Sequence, residues 1–481
     1  MDYFVLGNSR EVQETPSQSP LRFRLGSVGN LAPFFMFLLG VAWLGLSGAP
    51  DERGFWPVLL AAMTLGLLLV DDRKAYCDTI IEGMSQPIVM IMVMAWLLAG
   101  VLGTLMNATG LIEALIWIAH RAGVSGGAYV AATFLICCAV STTTGTSIGT
   151  ILLCSPLLYP AGSSLGANPP ILMGAILGGA TFGDNISPIS DTTIASALTQ
   201  QADMGGVVRS RLKYALPAAF GALLLFATFG GSETMRNASQ HLAGGSPRGL
   251  PSLLVPILVV GLLLAGRHLL ECLLLGILAS ASIGLAFGLV YPSQLLHVES
   301  GDFRAKGILL EGFERGIGVS IFTLLLMGLV SALRASGILD RLVASARKRI
   351  RTPRGAELSI FGATSVAVAL TTHSVVAMLT VGHFARETGE RFGISSYRRA
   401  NLLDITVCTY PFLFPYFIPV ILAASSTAVG AELGMPRLSP FVAGIYNFHS
   451  WLLLGMVVLA ILTGYGRAEQ GGLSPLAPSR K

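Results

Sequence analysis

Apolar runs long enough to cross a bilayer recur along the chain, for example over residues 87–106, 269–291 and 317–333. A crossing helix needs about 20 mostly apolar residues, so the expected fold is an all-α polytopic membrane protein. Composition agrees: 53% of residues are hydrophobic and only 12% charged, against about 25% charged in soluble domains. The net charge of +5 is spread over loop ends and reads as membrane topology rather than nucleic-acid binding. Cys77, Cys137, Cys138, Cys154, Cys272 and Cys408 lie mostly in apolar segments without metal-ligand spacing, as reduced packing residues do. No H-E-x-x-H or G-x-x-x-x-G-K-[ST] occurs, and no segment is large enough for a nucleotide-binding domain. An ATP-driven pump is thereby disfavoured, and neither enzymatic activity nor a cofactor is expected.

Residues 1–30 are polar, with Arg10, Arg22 and Arg24, and read as a retained cytoplasmic tail rather than a cleaved leader. Residues 31–74 form a transmembrane hairpin closed by Asp71, Asp72, Arg73 and Lys74. A first repeat is expected over 75–231, a linker with connecting helices over 232–300, a second repeat over 301–465 and a cytoplasmic tail over 466–481. The repeat rests on spacing. Glu82 in I-E-G recurs as Glu311 in L-E-G, 229 residues on; Glu113 recurs as Asp340 after 227, Thr144 as Thr372 after 228, and Pro188 as Pro415 after 227. In both halves a short amphipathic stretch carries the Glu113 or Asp340 position, and it reads as interfacial.

Charge supplies orientation. The loops around residues 358–384 hold Arg341, Arg347, Lys348, Arg349, Arg351 and Arg354 on one flank and Arg386, Arg391, Arg398 and Arg399 on the other; the matching loops of the first half carry little beyond Arg121. Short cytoplasmic loops are the basic ones, so the repeats should be inverted. Both flanks of 358–384 then lie on one side, and this segment should dip in and return as a re-entrant hairpin. Residues 129–160, interrupted at 141–147, should do the same from the opposite face. About ten crossings remain, with two broken transmembrane helices (170–199 and 401–428) and both termini cytoplasmic in a bacterial inner membrane.

Candidate chemistry concentrates where polar residues interrupt apolar runs. Residues 180–197 place Asp184, Asn185, Ser187, Ser190, Asp191, Thr192 and Thr193 at expected lipid depth, bracketed by Gly183 and Pro188. A carboxylate there costs about 2.5–3.5 kcal/mol on insertion scales. With hydroxyls and freed backbone carbonyls around it, it makes a hard-oxygen site suited to a small cation. Asp184 has no Lys or Arg near it in sequence and is the strongest candidate for the cation ligand. Asp191 either shares its face or caps the second half-helix with Ser187 or Ser190. Thr144, Thr146 and Ser147 at the first hairpin tip are hydroxyl ligands or helix-end caps. Asp404, one turn inside its span and close to Arg398 and Arg399, reads equally as an interfacial ion pair or a transport group. His373, in the second hairpin tip, is either a proton relay or a hydrogen-bonded structural residue. Asp78 and Glu82 read as solvated.

The run G-D-N-I-S-P-I-S-D-T-T at 183–193 resembles the G-D-x-x-S-P-x-S-D-T-T signature of the NhaC-type sodium/proton antiporter family. T-G-T-S-I-G-T at 144–150 is similar to that family's T-G-T-S-x-G-T segment. The resemblance implies the ion-transporter superfamily fold, with inverted repeats, two re-entrant hairpins and two broken helices, and implies that Asp184 binds Na+ and H+ alternately. The second half departs from the family pattern: Asp404 and Pro411 fit the E-D-x-G-T and S-P-L runs, while the Glu, the Gly and later polar residues are absent. Some members exchange organic acids with Na+ and H+. A cation/proton antiporter is therefore expected, with a Na+- or H+-coupled carrier of an organic anion or amino acid as the alternative. Arg334 is the sole arginine read near a span interior, which argues against a bound organic anion. An intramembrane hydrolase would require His373 beside a hydroxyl nucleophile. Expected partners are Na+, H+ and the bilayer, with a small organic anion and a homodimer left open.

Overall fold

Helices in this chain begin where a capping side chain or a proline precedes an apolar run. Thr146, Asn168, Asp203, Thr352, Ser395 and Asn447 each accept a hydrogen bond from the backbone N–H three residues on. Such caps satisfy a helix-end donor, and proline at the first helical position loses nothing there. The computed structural model describes residues 20–47, 52–232, 245–299, 304–346 and 350–467. Residues 1–19 of the tail expected at 1–30, residues 468–481 of the tail expected at 466–481, the middle of the linker (233–244) and the basic residues Arg347, Lys348 and Arg349 lie outside the described residues.

The first half comprises α1 (Ser27–Leu46), α2 (Phe55–Leu69), α3 (Arg73–Met84), α4 (Pro87–Ala108), α5 (Leu111–Arg121), α6 (Gly126–Thr144), α7 (Ser147–Ala161), α8 (Pro169–Ile186), α9 (Asp191–Gln200) and α10 (Met204–Phe229). Two connecting helices follow, α11 (Leu254–Leu264) and α12 (Leu269–Ala286). The second half holds α13 (Ile308–Ala335), α14 (Ile338–Ala346), α15 (Pro353–Thr371), α16 (Ser374–Arg391), α17 (Ser396–Val407), α18 (Ile418–Ser426), α19 (Pro440–Ile445) and α20 (Phe448–Thr463). A short antiparallel pair, β1 (His297–Glu299) with β2 (Arg304–Lys306), precedes α13; the sequence reading did not foresee it. Two helices start earlier than hydropathy suggests. α1 begins at Ser27, and α10 begins at Met204 behind its Asp203 cap, which draws Arg209, Arg211 and Lys213 into the helix.

The repeat is written in the element boundaries. Helices starting at 126, 147, 169 and 191 recur as helices starting at 353, 374, 396 and 418, each 227 residues later. Helices α6 and α7 form a hairpin whose two ends meet, since the Gly126 N–H donates to the Leu165 carbonyl at 2.6 Å. The Asn168 N–H donates to the Gly230 carbonyl at 2.7 Å, so α8 starts at the level where α10 ends. Among the described residues eight helices are long and apolar enough to cross a membrane. Of these, α6 is a hairpin arm. The other seven, with α8–α9, α17–α18 and α19–α20, give ten crossings. The crossings α4, α8–α9, α10, α11 and α12 separate the start of α4 from that of α13. Because that number is odd, the two repeats enter the membrane from opposite sides, as inverted repeats do.

The central contact is α4 against α13, the most buried of the long helices. Gly312 and Gly316 on α13 let the backbones touch: a Cβ at Gly312 would meet the backbone of Val101, and one at Gly316 that of Leu97 and Trp96. Without water to drive apolar surfaces together, membrane helices rely on such close van der Waals approach at small residues. Near the opposite end of the second repeat, buried Glu357 accepts from Arg398 at 3.1 Å and from Arg467 at 2.7 Å. This ties the chain beyond α20 to the second hairpin and second broken helix. Gly312→Val should therefore lower stability by about 1–3 kcal/mol, the usual range for overpacking. Gly261→Ala on α11, where a Cβ meets nothing within 4 Å, should be neutral or slightly stabilising. Thermal unfolding of the detergent-purified variants checks the contrast.

Candidate functional site

The site forms where α8 stops short. Its last turn carries Asp184, the Ser187 N–H returns to the Gly183 carbonyl at 2.8 Å, and the chain runs through Pro188 and Ile189 before α9 begins at Asp191. The first hairpin brings its tip to this break. At the tip α6 ends on Gly145 with φ 67°, a left-handed turn that glycine adopts freely, and Thr146 then caps α7, accepting from the Gly149 N–H at 3.1 Å. The next residue, Ser147, donates to Asp184 Oδ2 at 2.8 Å, and Ser190 donates to Oδ1 at 2.9 Å. Asp184 is 7% exposed, and among the described residues no basic side chain pairs with it. Asn185 donates to the Thr181 carbonyl at 2.9 Å, while its Oδ1 and the Ser187 Oγ are buried without a hydrogen-bond partner among the described residues. Two oxygen acceptors thus stand free beside a carboxylate and two hydroxyls.

A polar chain leads from Asp184 to the second repeat. Ser190 Oγ lies 3.0 Å from Thr192 Oγ1, which accepts from Cys408 Sγ at 3.3 Å. Cys408 Sγ is also 3.2 Å from Asp404 Oδ1, and Ser196 donates to Asp404 Oδ2 at 3.2 Å. Asp404 is fully buried and forms a close ion pair with Arg211 from α10, itself fully buried. Arg211 also donates to the Asn185 carbonyl, to Thr193 Oγ1 at 3.0 Å and to Asn401 Oδ1 at 3.0 Å.

Several expected residues are placed differently. Asp404 is not an interfacial partner of Arg398 and Arg399: Arg398 goes to Glu357, and Arg399 donates to Gln200 Oε1 at 3.1 Å. The reason is helical geometry, since residues five or six apart point to different faces while three or four apart align. Asp191 opens α9 as its first residue and is exposed, with Ser190 at the cap position. Thr144 donates to its own helix at the Val140 carbonyl, 2.7 Å, so of the three tip hydroxyls only Ser147 bonds Asp184. His373 occupies the position in the second tip that Thr146 holds in the first. It makes no cap bond, and its Nδ1 is buried without a partner among the described residues; it is Ser374 that reaches the broken helix, donating to the Val407 carbonyl at 2.9 Å. Asp78 and Glu82 are exposed, as read. The sequence reading missed Arg211, Asn401, Ser196 and the polar role of Cys408, and it named Arg334 where Arg211 is the arginine buried at the helix breaks. The available signal was Asp203, a capping residue that starts α10 early and carries Arg211 two turns inside it.

Helices broken at a buried carboxylate, two hairpins with tips at the breaks and a ten-crossing inverted repeat define a polytopic membrane protein built as secondary transporters are. The model of the Na+/H+ antiporter family matches residues 54–231, which include both motif runs. Among relatives, the Na(+)/H(+) antiporter NhaC of Alkalihalophilus pseudofirmus is 23% identical over 413 residues, covering 81% of this chain and 88% of the relative. The malate-2H(+)/Na(+)-lactate antiporter of Bacillus subtilis is 26% identical over 326 residues, 64% of this chain and 69% of that protein. The arginine/ornithine antiporter ArcD of Halobacterium salinarum is 24% identical over 335 residues, 65% and 69% respectively. The chain is thus similar to the Na+/H+ antiporter family over residues 54–231, and to an NhaC antiporter over most of its length. A crystal structure of the Alcanivorax borkumensis YdaH transporter superposes at TM-score 0.41 with 15% identity, over 92% of this chain and 100% of that one; so loose an overlap assigns no residue a role.

Removing Asp404 alone leaves a buried guanidinium without its counter-charge. Asp404→Ala should cost about 3–5 kcal/mol, as breaking a buried pair does, whereas Asp78→Ala on an exposed surface should stay within about 0.5 kcal/mol. Unfolding midpoints in detergent check both.

Proposed function

We propose that this protein exchanges Na+ for H+ by alternating access, with Asp184 as the carboxylate that each ion occupies in turn. The observation carrying this reading is Asp184 itself: buried at a helix break, held by Ser147 and Ser190, and free of any basic partner among the described residues. A carboxylate with hydroxyl and amide oxygens beside it suits a hard monovalent cation, and protonation removes the charge that holds that cation. One group cannot hold both ions, so each expels the other. Alternation then needs only the break to be exposed first to one side and then to the other. Asn185 Oδ1 and Ser187 Oγ, left without partners, are the further oxygens offered to Na+. Thr192 belongs to the hydrogen-bond chain behind Asp184, and exposed Asp191 stands at the approach. The basic loops of the second repeat support a bacterial inner-membrane setting with cytoplasmic termini.

Reconstituted in liposomes, the wild-type protein should change luminal pH on addition of Na+, and Asp184→Asn should abolish the change. Persistence of the response in a well-folded Asp184→Asn protein would place the exchange site elsewhere.

A second reading, Na+- or H+-coupled exchange of a small organic anion or amino acid, is favoured by the names of two relatives, the malate/lactate and arginine/ornithine antiporters. It predicts that liposomes loaded with malate or ornithine accumulate radiolabelled lactate or arginine against their gradient. Na+-driven pH change without such counterflow would leave simple cation/proton exchange.

A further inference from the structure

Arg211 sits in a setting unusual for an arginine: oxygens from both broken helices surround its guanidinium. They are the Asp404 carboxylate, the Asn185 backbone carbonyl, Thr193 Oγ1 at 3.0 Å, Asn401 Oδ1 at 3.0 Å and Ser196 Oγ at 3.5 Å. The side chains of Arg211 and Asp404 are both 0% exposed. A carboxylate, a carbonyl freed at a helix break, an amide oxygen and two hydroxyls are the ligand types that hard cations take. Asn185 is the residue next to Asp184, so this cage shares the helix break with the proposed ion site. The titratable groups facing it are Asp404, Cys408 and, through Ser190 and Thr192, Asp184; exposed Asp191 begins α9 beside them. Among the described residues no second basic side chain pairs with Asp404.

We infer that the Arg211 guanidinium occupies a second cation site, acting as a tethered resident cation that holds Asp404 out of the exchange cycle. The bundle thus carries two oxygen-lined carboxylate sites at its midpoint. One is open and exchanges ions; the other is permanently filled by the chain itself. The exposed end of α10 gives the reason such filling is effective. Asp203 starts that helix just outside the site, and its rigid register delivers the guanidinium two turns further in, where planar multiple donation satisfies oxygens that a lysine's compact ammonium reaches less completely. The count of ions carried per cycle is then set by an arginine that moves nowhere, and Arg211 is a specificity-determining residue for cation number. This deepens the reading of Asp184 as the exchanging carboxylate, but the cage itself stands on Arg211's own contacts.

Equilibrium binding of radioactive Na+ to detergent-purified protein at alkaline pH tests the inference without any transport. The wild type should bind one Na+ per chain, lost in Asp184→Asn. Arg211→Ala should bind one more Na+ than the wild type, and millimolar guanidinium should compete for that additional ion alone. A folded Arg211→Ala protein with no gain in bound Na+ overturns the inference. Because losing the guanidinium leaves Asp404 bare, this variant is also purified in NaCl and in choline chloride, and Arg211→Gln beside it. The expected result is an unfolding midpoint raised by Na+ and not by choline, and by more than in the wild type. Midpoints equal in the two salts, or variants recoverable in neither, overturn the inference, since a cation from solution then fails to replace the guanidinium. If wild-type liposomes show no Na+-driven pH change while Arg211→Ala still gains Na+, the cage stands and the exchange reading alone falls.

Discussion

A helix interrupted inside a bilayer leaves backbone N–H and C=O groups that lipid cannot satisfy, each costing several kcal/mol on the order expected for unpaired polar groups. Every feature of this site answers that constraint. The Asn185 carbonyl, released where α8 ends, is taken by Arg211, and Ser190 stands at the start of α9 with its hydroxyl on Asp184. In the second half, Ser374 at a hairpin tip takes the Val407 carbonyl freed at the end of α17. The hairpins are therefore structural necessities: they bring the polar atoms that allow two breaks to exist side by side. The same deficit creates the site. Oxygens that no donor among the described residues satisfies, such as Asn185 Oδ1, are those that the proposed exchange offers to a cation.

The repeats share a scaffold and differ in chemistry. With the 227-residue offset of their helices, Gly145 and Thr372 are equivalent, and both take a left-handed conformation, φ 67° and 52°. For a β-branched threonine that conformation is strained, so the tip geometry of the second hairpin is imposed by the fold and not by local preference. Thr146 and His373 are likewise equivalent, one capping its helix and the other not. Asp184, by the same offset, corresponds to Pro411, and Asp404 to Leu177. The two buried carboxylates are not symmetry mates. They meet because inverted repeats bring the two breaks together from opposite sides; among the described residues one carboxylate has no basic partner and the other has an arginine.

Much of this was readable from residue order. The offset between halves, the polar interruptions at 141–147 and 371–374, and the G-D-N-I-S-P-I-S-D-T-T run located the hairpins, the breaks and Asp184 before any coordinates. Asp404 shows the limit. Its sequence neighbours Arg398 and Arg399 suggested an ion pair, but a helix projects residues five or six apart to different faces, and the true partner comes from 193 positions earlier in the chain. Cys408 read as packing because a thiol in an apolar run normally is packing. Only its placement between Thr192 and Asp404 makes it part of a polar chain.

Sequence alone determined that this is a polytopic helical membrane protein, that it repeats, and that Asp184 lies at a helix break. Each follows from local properties: run length, spacing, and the helix-breaking chemistry of glycine and proline. Tertiary structure decided which charges are free. Whether a buried carboxylate is available to an ion depends on what side chain the fold delivers to it, and delivery across the bundle is set by helix register and packing, which no local window contains. The pairing of Arg211 with Asp404, and the absence among the described residues of any basic side chain on Asp184, are facts of three-dimensional placement.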